Sequence, residues 1–70
     1  MAMIRISTKY SIELKKGCFI AHEHEEGEGN ICHVQAFPSL IDIHAELTEV
    51  GESGESIMRA AAELLDMADA

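Results

Sequence analysis

Seventy residues make one small domain, too short to build both a core and a deep substrate cleft. The apolar share of 47 % argues against disorder, and with aromatics at 4 % and no Trp the core must be aliphatic. A net charge of −8, from 13 Asp and Glu against 5 Lys and Arg, opposes direct contact with nucleic acid or anionic membranes and favours encounters with basic proteins.

The opening stretch, MAMIRISTKYSIELKK, alternates with a period of two. Ala2, Ile4, Ile6, Thr8, Tyr10, Ile12 and Leu14 fall on one face, and Met3, Arg5, Ser7, Lys9, Ser11 and Glu13 fall on the other. This pattern predicts a half-buried strand over 2–14, with a bend or bulge near Ser7 to Lys9. Lys15, Lys16 and Gly17 supply a turn. Residues 18–37 then read as a hairpin whose tip, EEGEGN, carries residues that tolerate positive φ. Pairing about the middle of that tip sets Phe19 opposite Ala36, Ala21 opposite Val34 and Glu23 opposite Cys32. The other face then holds Cys18, Ile20, His22 and His24 across from Phe37, Gln35, His33 and Ile31.

The segment PSLIDIHAELTEV supports two readings. Leu40, Ile43, Leu47 and Val50 fit a helical stripe, with Ser39 and Asp42 as a capping box. Ile41, Ile43, Ala45 and Leu47 fit one face of a strand over 41–48, with Asp42, His44, Glu46 and Thr48 facing solvent. The isoleucines and the clean polar face favour the strand. After the GESGES turn, residues 55–68 are a helix with Ile57, Ala61, Leu64 and Ala68 as its apolar stripe, opened by Ser53 or Ser56. The fold class is α+β: a small antiparallel sheet of three or four strands with one C-terminal helix packed on it.

No apolar run has the length of a signal peptide or a membrane span, so Cys18 and Cys32 read as reduced thiols of a cytoplasmic protein. Catalysis is not expected. Cys32 and His33 are strand neighbours on opposite faces, and GESGES lacks the lysine and the glycine spacing of a phosphate-binding loop. Two sets of residues carry the functional expectation. Glu23, Glu25, Glu26 and Glu28 at the hairpin tip, with Asp42 and Glu46, present carboxylates to a basic partner. The alternative is a small metal-binding protein. His22 and His24 point the same way from one strand, and His33 in the register above joins them, so three imidazoles could chelate zinc with no other cofactor.

The stretch EEGEGNICHVQAFPSL, followed after a gap by VGESGESIMRAAAELLDMA, resembles the HicB-type antitoxin pattern across residues 25–68. Gly27, Gly29, Phe37, Pro38, Leu40, Gly54, Glu55, Ser56 and Ala60 to Ala62 carry the likeness. The insert between Leu40 and Gly51 is longer than the family's usual turn, and no DNA-binding module follows. The resemblance implies a strand–hairpin–helix shape and a role in neutralising a nucleic-acid-handling toxin. Size and acidity are also similar to small phage-encoded inhibitors, including anti-CRISPR and anti-restriction proteins. The expected partner is therefore a basic nuclease or nucleic-acid-binding complex, with a homodimer through the apolar sheet face as a further option.

Overall fold

The computed structural model describes residues 3–25 and 31–69. It is an α+β fold of four strands and two helices: β1 (Met3–Arg5), β2 (Tyr10–Lys15), β3 (Cys18–His24), β4 (Ile31–Phe37), α1 (Leu40–Glu49) and α2 (Gly54–Asp69). The sheet is antiparallel throughout, in the order β1-β2-β3-β4. Both helices lie on one of its faces, α2 against β1 and β2, α1 against β3 and β4.

The strand expected over 2–14 is two strands that fold back on each other. Ile4 pairs with Ile12, and Arg5 with Ser11. The reversal happens where the bend was expected, because side chains there satisfy the backbone. Ser7 Oγ accepts hydrogen bonds from the amides of Lys9 and Tyr10, and Arg5 donates to the carbonyls of Ser7 and Thr8 at 2.9 and 2.7 Å. The alternation survives the reversal. Ile4, Ile6, Tyr10, Ile12 and Leu14 all belong to the core or pack against it.

The next turn, between Lys15 and Cys18, has two central residues with positive φ, Lys16 at 53° and Gly17 at 79°. Two-residue hairpins favour this mirror-image turn, whose first central position suits Asn better than Lys. We expect Lys16→Asn to raise stability by about 0.5–1 kcal/mol, from the reduced left-handed strain. Urea denaturation checks this, and an unchanged midpoint would contradict the left-handed Lys16.

The segment 41–48 is a helix, not the strand that its isoleucines favoured. Ser39 is extended (φ −146°, ψ 163°) and its Oγ accepts the amide of Asp42, so the first turn is capped. The far end closes on Gly51 at φ 102°, with Gly51 N donating to Thr48 O and Glu52 N to Leu47 O, a Schellman motif. Between these caps the 3.6-residue period decides. Ile43 and Leu47 are buried at 0 % and 2 % exposure, whereas Ile41, which a strand would put beside Ile43, is 80 % exposed. Burying one stripe against the sheet and α2 outweighs the weak β-preference of isoleucine.

Helix α2 starts with the Ser56 amide bonded to Ser53 Oγ. It buries Ile57, Ala60, Ala61 and Leu64. The two alanines are small enough for the backbone to approach closely, and Ala68, expected on this stripe, is exposed. No helix among the described residues is long and apolar enough to cross a membrane.

Candidate functional site

The hairpin register decides which side chains meet. Phe19 pairs with Phe37, Ile20 with Ala36, Ala21 with Gln35, His22 with Val34 and Glu23 with His33. This is shifted by one residue from the expected pairing. Near the tip His24 pairs with Ile31, so the ladder contains a β-bulge in which Cys32 is the extra residue. The shift has a hydrophobic cause. The expected register left Phe37 on the far face, opposite Cys18. The observed one turns it into the core beside Phe19, where the two are 7 % and 5 % exposed. Burying a phenylalanine is worth about 1.5–3 kcal/mol, enough to hold one unpaired bulge residue in place.

The shift separates the three histidines. His22 and His24 stay on the face away from the helices, while His33 turns with Glu23 towards α1. The three-histidine zinc site is therefore not assembled. Among the described residues no group of three His, Cys, Asp or Glu side chains is placed to hold a metal ion.

On the face away from the helices, two polar pairs run diagonally across β2 and β3. Ser11 Oγ lies 2.6 Å from His24 Nε2, and Glu13 Oε1 lies 3.1 Å from His22 Nε2. His22 Nδ1 is buried and makes no hydrogen bond among the described residues, so Nε2 is the natural donor to Glu13. A serine–histidine contact can activate a nucleophile. Here Ser11 is only 3 % exposed and His24 6 %, so the hydroxyl is closed to a substrate. These pairs satisfy polar groups in the sheet and stitch β2 to β3.

On the helix side, a pocket of about 210 Å³ opens between α1 and the end of the sheet. Ala21, Phe37 and Leu47 give it an apolar floor, and Tyr10, Glu23, His33, Gln35, Glu46 and Val50 complete its wall. Glu23 and Glu46 come from different elements, β3 and α1, and the helical form of residues 40–49 is what brings Glu46 to the sheet. A cation already samples this rim. Lys9 Nζ lies 3.9 Å from Glu23 Oε2 and 5.9 Å from the centroid of the Tyr10 ring. Carboxylates beside an aromatic ring in a half-enclosed pocket suit a guanidinium or ammonium group.

The other expected partner residues are distributed as follows. Asp42 lies one turn before Glu46 on α1, is exposed, and its carboxylate accepts the Ser39 hydroxyl at 2.9 Å. Glu25 is exposed just beyond β3. Glu26 and Glu28 lie outside the described residues. Sequence reasoning missed Tyr10, His33 and Gln35 as pocket residues. The signal was there in Phe37, whose burial fixes the parity of β4 and so the side on which His33 and Gln35 stand.

A second, shallower groove of about 480 Å³ lies between the helices, lined by Leu40, Ile41, His44, Ala45 and Met58. It is apolar where the first pocket is acidic, and it lies on the opposite side of α1. Against protein-family models, curated proteins and solved structures, nothing matches this chain.

Proposed function

We propose that this chain is a non-catalytic, acidic protein-binding module that sequesters or blocks a basic, nucleic-acid-handling protein in the cytoplasm, as an antitoxin, anti-CRISPR or anti-restriction protein does. One observation carries this reading: Glu23 and Glu46, from separate elements, line a single pocket beside Tyr10. The pocket has the size and chemistry to take an arginine or lysine side chain from a partner. The rest of the molecule supports it. A net charge of −8 speeds encounter with a positive surface, and Asp42, Glu46 and Glu49 continue the acidic field along the exposed side of α1. Such carboxylates occupy a partner's phosphate-binding groups without supplying phosphate.

The test is capture from nuclease-treated bacterial lysate on immobilised protein, washed at low salt and eluted by raising it. The reading expects a basic protein that salt releases and that bait carrying Glu23→Lys and Glu46→Lys does not retain. Equal retention by both baits would remove the pocket from the account.

A further inference from the structure

The two edges of the sheet are treated differently. β1 is three residues long and carries the exposed Arg5, a short and cationic edge that discourages pairing with a basic chain. β4 is seven residues long, and among the described residues it pairs with β3 alone. Residues 33–36 are exposed, and 31–37 include no Asp, Glu, Lys or Arg. Only the bulge at Cys32 interrupts this edge, so His33–Phe37 presents an unbroken row of outward backbone groups.

What overhangs that edge is acidic. Glu46 and Val50 share a pocket with His33, Gln35 and Phe37, so this side of α1 faces β4. Asp42 and Glu49, four before and three after Glu46, lie on the same side by helical periodicity, and both are exposed. A strand added to β4 would run beneath this row. Its alternate side chains would point towards α1, with the pocket at Glu23 and Glu46 within reach.

The geometry points to strand addition: an extended segment of the partner, with Arg or Lys at alternate positions, pairs its backbone with His33–Phe37 while its cations meet Asp42, Glu46 and the pocket. This rests on the basic-partner reading above and gives it a binding mode. Charge selects the occupant. A second copy of the chain would bring two rows of Asp42, Glu46 and Glu49 against each other across the dyad, whereas a basic strand neutralises one.

The probe is a synthetic peptide of alternating arginine and threonine, with two versions N-methylated on one or the other set of alternate amides. Methylation keeps the charge and removes one edge of hydrogen bonds. Binding is read by fluorescence anisotropy, and amide hydrogen exchange is followed at Val34 and Ala36. We expect the unmethylated peptide to bind and to protect amides of β4. One methylated version should lose about tenfold or more in affinity while the other keeps it. Equal binding of all three peptides overturns strand addition, and loss of that binding with Glu46→Lys would then keep the acidic pocket as a contact by charge alone. No binding by any peptide overturns strand addition. So does a dimer in sedimentation that the peptide does not disturb, since the edge would then belong to a second copy.

Discussion

Ile43→Ala strongly destabilises the fold, while Ile41→Ala, two residues earlier, is close to silent. Ile43 is fully buried, and truncating such a residue costs about 2–5 kcal/mol through lost burial and the cavity left behind. A domain of this length has a total stability of roughly 4–10 kcal/mol, so the loss is at least about a fifth of it and at most all of it. Ile41 is 80 % exposed on a helix, where alanine has the better intrinsic preference, so its replacement should change stability by less than about 0.5 kcal/mol. Urea denaturation followed by far-ultraviolet circular dichroism reads both. The pair also tests the segment itself. In a strand Ile41 and Ile43 would share a face and cost similar amounts, so comparable losses would argue against α1.

The second large effect is on binding. Glu23→Lys with Glu46→Lys should weaken affinity for a basic partner by about 100-fold or more, with each single change giving about tenfold. Close charge pairs at interfaces have measured couplings of about 1.5 kcal/mol upwards, and each substitution also sets a lysine against an incoming cation. The control is Glu55→Lys with Asp66→Lys, which makes the same change in net charge on exposed positions of α2. If the effect is only the long-range field, both double variants weaken binding alike and mainly slow association. If the pocket matters, the Glu23 and Glu46 variant alone raises the dissociation rate. Calorimetry and stopped-flow kinetics at two salt concentrations separate the two cases.

How far the sequence could be read depended on which signal decided each element. Alternation gave the correct face for Ile4, Ile6, Tyr10, Ile12 and Leu14, while Thr8, expected with them, is exposed. The chain reversal at Ser7 rests on side-chain hydrogen bonds from Ser7 and Arg5, which a hydrophobic pattern does not register. The stripe of Ile57, Ala61 and Leu64 was legible because period and propensity agreed. Residues 40–49 misled because they disagreed: two isoleucines favoured a strand, and the caps at Ser39 and Gly51 favoured a helix. The caps were the better guide, since they satisfy backbone groups that a strand in this place would have to pair elsewhere.

The site was legible in composition but not in assembly. Of the carboxylates expected to meet a partner, Glu23 and Glu46 line one pocket. A single residue of register separates His33 from His22. A hairpin drawn symmetrically about its tip ignores the option of a bulge. Weighing the burial of Phe37 against one unpaired residue would have placed His33 and Gln35 on the helix side.

That extra residue, Cys32, has a consequence for how the chain tolerates change in length. In an unbroken ladder, adding or removing one residue inverts the facing of everything beyond it. Here the miscount is already present and confined to one position. Taking Cys32 out would leave Ile31 opposite His24 and His33 opposite Glu23, both as they are now. The hairpin thus holds a one-residue slack between its tip and its inner half. The strand can lose one residue there without turning Phe37 out of the core.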